Sequence, residues 1–236
     1  MNLFLMIQQS TERILESNGL ETEGELLVAN SINLFDLLVK GGWIMLVLGV
    51  LSVIMVAIFI ERWMALRKAA KVDTSFMNRI NDYIHDGKID SALTLCKSTD
   101  HPIARMIEKG ITRIGRPLND VNTAIENIGN LEITKLERGL PIIASISGGA
   151  PMLGFFGTVM GMIQAFWEMA NAGNNIMIDQ LSGGIYTALV TTAGGLPVGI
   201  AAYFAYNILV TRIERIVFKM QASTLEFMDI LNEPAK

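Results

Sequence analysis

Apolar and charged residues are sorted into blocks along this chain. Three stretches carry no charged residue at all: 41–60, 139–167 and 181–211, of 20, 29 and 31 residues. A helix that crosses a bilayer needs roughly 20 apolar residues. Each stretch is therefore long enough to span, and the second and third must tilt or project beyond the membrane. The blocks between them read as helices. Residues 74–86 are ended by Gly87, 89–98 end before Pro102, and 103–114 are ended by Gly115 and Pro117. From Asp120 onward Val121, Ile125, Ile128, Leu131 and Leu136 recur three to five apart, and the stripe runs into the second apolar stretch without a strong break. Ile213, Ile216, Val217, Met220, Leu225, Met228 and Leu231 form a matching stripe after the third. The pattern predicts two very long helices that leave the membrane and pack together. There is no strand pattern and no internal repeat. The expected fold is an all-α membrane protein with three transmembrane helices, the second and third extending into a helical cytoplasmic domain.

Charge then orients the chain. Of 19 Lys and Arg, 13 fall between Arg62 and Arg138; Arg212, Arg215, Lys219 and Lys236 follow the third stretch. The 168–180 connection has none, and residues 1–40 have only Arg13 and Lys40. Basic residues stay on the cytoplasmic side. The expected layout is an outer N-terminal segment over 1–30, an amphipathic helix on the outer surface over 31–40, and a first span over 41–60. A cytoplasmic helical domain follows over 61–138, then a second span over 139–167, a short outer loop over 168–180, a third span over 181–211 and a cytoplasmic tail over 212–236. Trp43 and Trp63 bracket the first span as interfacial anchors. With 51% hydrophobic residues the chain is too apolar for an ordinary soluble domain; its net charge of −4 says little, because opposite faces of the membrane carry it, and the acidic outer segment has no basic patch for nucleic acid.

The last two spans carry unusual residues. At 100° per residue, Ser147, Pro151, Gly154, Thr158, Gly161 and Ala165 fall on one stripe of the second, with Phe155, Phe156, Met160 and Phe166 off it. In the third, Gly183, Gly184, Thr187, Ala188, Thr191, Thr192, Gly195 and Gly199 share half the wheel. Thr158 lies about 15 Å below Glu168, and Thr187, Thr191 and Thr192 lie about 12 to 20 Å below Asp179 at the helical rise. In antiparallel neighbours these hydroxyls meet at one depth, a polar belt that reads as the lining of an ion path. Gly154, Gly157, Gly161, Gly184, Gly195 and Gly199 are expected to let the helices approach closely, and Pro151 and Pro197 to kink them. The bland alternative is that the hydroxyls bond back to their own carbonyls and the small residues serve packing alone.

No Asp, Glu, Lys, Arg or His lies inside any span. A proton relay normally places an ionisable group at membrane depth, so the titrating group is expected from a partner. There is no Gly-x-Ser-x-Gly, no Gly-x-x-x-x-Gly-Lys-Ser/Thr and no His-Glu-x-x-His, so an enzyme is not expected. His85 and His101 lack a third ligand at metal spacing, and His101, just before Pro102, reads as a helix-start residue. Cys96 is the single cysteine and reads as a small buried hydrophobe. No cofactor and no metal are expected.

The residues resemble the ExbB/TolQ/MotA family of ion-driven motor subunits over roughly 31–230. The resemblance rests on the Gly41-Gly42-Trp43 start of the first span with Ile60-Glu-Arg-Trp63 at its end, and on Ala150-Pro-Met-Leu-Gly-Phe-Phe-Gly-Thr-Val-Met-Gly161. It rests also on Gly184-Ile-Tyr-Thr-Ala-Leu-Val-Thr-Thr192 followed by Gly195 and Pro197. Three spans favour the ExbB/TolQ branch. The resemblance implies a homopentamer in the bacterial inner membrane, around a single-pass partner similar to ExbD or TolR whose membrane aspartate supplies the missing group. Proton flow would then energise a TonB-like protein in outer-membrane transport, with Tol–Pal envelope maintenance or a sodium-driven or gliding-type stator as alternatives. A passive membrane scaffold is the alternative outside this class. Thr158 and Thr192 fall on the family's pore threonines, whereas Thr187 stands where ExbB and TolQ commonly carry glutamate. That departure leaves sodium open beside the proton as the ion.

Overall fold

A computed structural model describes residues 41–70, 75–171 and 178–232, and all the elements among them are helices. They are α1 (Gly42–Ala69), α2 (Ser75–His85), α3 (Ile89–Ser98), α4 (Pro102–Ile111), α5 (Leu118–Glu137), α6 (Leu140–Asn171) and α7 (Ile178–Asn232). The expected outer segment, the surface helix over 31–40 and the middle of the 168–180 loop lie outside the described residues. Three helical stretches, Gly42–Ala69, Leu118–Asn171 and Leu181–Asn232, are long and apolar enough to cross a membrane.

The short helices begin and end where local chemistry dictates. Gly87, at φ +71°, follows α2 in a conformation that side chains with a Cβ rarely adopt. The α4 helix has His101 as its N-cap: the ring Nδ1 accepts the Ile103 N–H at 3.2 Å, and Pro102 occupies the first turn, where a missing N–H costs nothing. The other ring nitrogen of His101 bonds the carbonyl of Ala69, the last residue of α1, and so ties the end of the first span to the polar helices.

The helical run over 118–171 differs in one respect from the unbroken stripe in its sequence. It is jointed at Arg138 (ψ 130°) and Gly139 (φ +86°). Glycine tolerates that left-handed geometry, and Pro141 then sits in the first turn of α6, which starts as a new helix. The first span braces the joint. Arg62 Nη1 donates to the Lys135 carbonyl at 3.2 Å, near the end of α5, and a Cβ on Gly139 would stand 3.0 Å from Ile58 Cγ2. By contrast α7 runs uninterrupted for 55 residues with Pro197 inside it.

Two packed regions result. In the apolar half α6 and α7 lie against each other along most of the α6 length, and α1 packs beside them, with Met45 so close that a Cβ on Gly194 would meet its Sδ at 2.7 Å. In the polar half Ile80, Ile103, Ile107, Val121 and Ile125 form a core into which Phe227 of α7 inserts, fully buried. At the boundary Arg212 of α7 lies over the Trp63 ring, 3.4 Å from its centroid, and Arg67 approaches the same ring at 5.1 Å.

Candidate functional site

The α6–α7 contact is a seam of glycine against backbone. A Cβ on Gly154 would lie 3.0 Å from the Thr191 carbonyl oxygen and 3.3 Å from Gly195 Cα; on Gly195, 2.6 Å from the Ala150 carbonyl oxygen. On Gly161 it would lie 2.8 Å from the Gly184 carbonyl oxygen, and on Gly184, 2.8 Å from Ala165 Cβ. Gly199 receives the Pro151 ring, and Gly157 receives the Thr191 side chain. These six glycines are therefore all in the seam, and any added carbon would strike backbone or a fixed side chain. Pro151 and Pro197 both lie inside continuous helix.

The four threonines are brought to this seam but do not share one environment. Thr191 sits in its centre, 1% exposed, with Oγ1 donating back to the Ala188 carbonyl at 2.8 Å. Thr192 is half-buried and reaches across: its Oγ1 donates to the Gly154 carbonyl at 3.1 Å, a hydrogen bond between the two helices. Thr158, one turn beyond Gly154 and also half-buried, donates to the Phe155 carbonyl at 2.6 Å. Thr187 lies seven residues, about two turns, before Gly194 and so shares the face of α7 that meets α1 at Met45. It is five residues from Thr192, about 140° around the helix. Thr158 and Thr192 therefore flank one side of the seam, Thr187 the other, and Thr191 lies between. A half-wheel grouping does not separate these positions; the docking of α1 does.

Residues 98–222, which include α4, α5, α6 and most of α7, match the model of the MotA/TolQ/ExbB proton channel family. The chain belongs to this family. Among its relatives are an ExbB homologue of Methanothermobacter thermautotrophicus, 29% identical over 163 residues, and the Tol–Pal system protein TolQ of Haemophilus influenzae, 36% identical over 106 residues. These alignments cover 69% and 45% of this chain, and the chain spans about half the length of the two relatives, 57% and 46%. TolQ of Pseudomonas aeruginosa is 28% identical over 200 residues, covering 80% of this chain and 86% of that protein. As a member of the family the chain is a multi-pass membrane protein of a channel class, not an enzyme.

The family region also holds a cluster that the sequence pattern did not single out. Glu132 of α5 is 3% exposed, yet it accepts from Arg105 Nη2 and Lys135 Nζ, each at 2.6 Å, while Arg105 Nη1 reaches Asp100 at 2.6 Å. Burial would raise the Glu132 carboxyl, but the hydrogen bonds from Arg105 and Lys135 outweigh it and hold it below its ordinary value. One signal was available: residue 132 stands where the stripe through Ile125, Ile128 and Leu136 calls for an apolar side chain. His101 is also buried, which holds its imidazole below the usual range and neutral, in keeping with its Nδ1 as acceptor. Cys96 is buried, and loss of water pushes its thiol up to about 12, so it remains protonated and inert.

Proposed function

We propose that this chain is the ion-conducting ring subunit of an inner-membrane motor, working with a single-pass ExbD/TolR-like partner that carries a membrane aspartate. The observation that carries this reading is the open flank of the seam. There the Thr192 hydroxyl bridges to the Gly154 carbonyl with Thr158 one turn away, in spans without Asp, Glu, Lys, Arg or His. Hydroxyls and carbonyls can solvate a cation or a protonated relay, but they do not themselves hold a transferable proton near neutral pH. The titrating carboxylate therefore comes from the partner. Thr191 and Thr187 belong to the same belt, Thr191 as its packed floor and Thr187 on the α1 side. The excess of Lys and Arg after the first and third spans supports an N-terminus in the periplasm and a C-terminus in the cytoplasm.

On this reading the proton motive force is the fuel, and each charge crossing 100 mV releases about 2.3 kcal/mol. The output is TonB-dependent transport at the outer membrane, by a homopentamer around its partner. The TolQ relatives, one of them 36% identical, favour as second reading a Tol–Pal-type motor. With threonine at 187 the partner's aspartate titrates without a subunit glutamate beside it, as in stator-type rings, and sodium is the alternative ion.

The test is Thr158→Val with Thr192→Val, made in the ring with its partner in place. Loss of proton uptake by energised vesicles, with the ring mass unchanged, is the expected result. A ring that still energises its process is a scaffold whose threonines only pack, and the ion-path reading falls.

A further inference from the structure

Where α1 leaves the apolar half, a cleft of about 260 Å³ opens between the end of α1, the start of α4 and the last turns of α5. Four cations line it (Arg62, Lys68, Arg105 and Lys135), with the carboxylates Asp100 and Glu132 beside them. Arg105 and Lys135 are committed to those carboxylates, and Arg62 donates Nη1 to the Lys135 carbonyl and Nη2 to Glu61. Even so, the inventory does not close. Among the described residues three buried side-chain nitrogen or oxygen atoms have no hydrogen-bond partner, and two of them are Arg62 Nε and Arg105 Nε. Both atoms lie behind the cleft wall, so what the cleft offers a ligand is the exposed ammonium groups of Lys68 and Lys135 and the half-buried Arg105 side chain.

The position of the cleft restricts what can enter it. The apolar run of α1 ends at Ile60, and Arg62 lies opposite Gly139, where the apolar run of α6 begins. The cleft is therefore level with the membrane surface. Ile60 and Met64, 51% and 55% exposed, stand at four-residue spacing before Lys68, so an exposed apolar row leads directly to the basic lining. A cleft this size is below the roughly 300 Å³ typical of sites for drug-sized molecules and suits a compact anion.

We propose that this cleft binds a phosphate oxyanion, supplied by the phosphodiester headgroup of an acidic lipid whose acyl chain lies along Ile60 and Met64. Guanidinium groups hold phosphate oxygens through several donors at once, and a partly buried basic pocket at a helix end attracts anionic headgroups. The headgroup bridges α1 to α4 and α5 at the level of the Gly139 joint. It involves neither Thr158 nor Thr192, so lipid capture and ion conduction are separable by mutation.

The experiment is native mass spectrometry of the full chain in neutral detergent, titrated with phosphatidylglycerol, with phosphatidylcholine and with inorganic phosphate. Phosphatidylglycerol is expected to be retained in preference to phosphatidylcholine. Arg62→Gln should weaken that retention about tenfold or more and Lys68→Gln about fivefold. Lys68 is exposed, so its variant folds even where Arg62→Gln does not, and Arg62→Lys, which keeps the charge but loses the fork, should also weaken binding. Equal retention of the two lipids, or unchanged phosphatidylglycerol retention in Lys68→Gln, overturns the proposal. Displacement of phosphatidylglycerol by inorganic phosphate at comparable concentration overturns the assignment to a lipid.

Discussion

The apolar and polar stretches of α7 solve the same problem in opposite ways. Through the membrane, its contact face reads Gly184, Ala188, Thr191, Gly195 and Gly199; beyond it the buried face reads Ile213, Ile216, Met220 and Phe227. In lipid, burying an apolar side chain against another gains little, because the tails are equally apolar; close van der Waals approach and polar contacts hold helices together. In water the hydrophobic effect drives association, and larger side chains stabilise more. One continuous helix therefore changes its packing code where the solvent changes. The seam should punish added volume and the polar core should punish lost volume.

The largest effect tests the seam. Gly195→Leu drives side-chain atoms into the Ala150 carbonyl and Gly154 Cα, and should cost more than about 3 kcal/mol, with loss of the folded chain from detergent extracts. Gly148→Ala, where an added Cβ meets nothing within 4 Å, should leave the yield of folded chain unchanged. Equal effects from both would erase the distinction. Next is Phe227→Ala, which empties the polar core beside Gly110 and should cost about 3–5 kcal/mol in denaturant unfolding.

Smaller is Glu132→Gln, which leaves Arg105 and Lys135 facing a neutral amide; about 1–3 kcal/mol is expected. Its pH dependence has a definite sign. The folded-state pKa of Glu132 lies below its ordinary value of 4.5, so its contribution is present above that value and is lost as pH falls through the lower folded-state value. Stability of the Gln variant should therefore fall less steeply with acid than wild type when unfolding is followed from neutral pH downward. The smallest effect is Thr192→Val, which removes one interhelical hydrogen bond worth about 0.6 kcal/mol. A shift of several kcal/mol would mean that this hydroxyl holds the seam together.

Much of this architecture was legible in the chain, because charge-free length and glycine or proline stops are local signals. The three spans follow from the uncharged runs, the ends of α2 and α3 from Gly87 and Pro102, and the start of α4 from His101 and Pro102. The joint at Arg138 was not read, since the stripe from Val121 to Leu136 continues in phase toward the apolar run. Gly139 followed by Pro141 was the available signal, but its weight depends on Arg62 reaching the Lys135 carbonyl from 73 residues away. Glu132 was hidden for the same reason: its partner Arg105 is 27 residues distant. Among the threonines, periodicity alone indicates a half of the helix. Which of them lies in the seam and which on either flank depends on the third helix beside it.

The uninterrupted course of α7 makes it a lever. From Thr191 to Asn232 it extends about 60 Å, so a tilt of one degree about the level of the threonines moves its far tip by about 1 Å. The companion strut is not one body: between α6 and α5 stands the Gly139 joint, held by Arg62 and Ile58 of the first span. A small tilt in the membrane is thus carried along α7 into the polar core at Phe227, where α5 meets it through Val121 and Ile125.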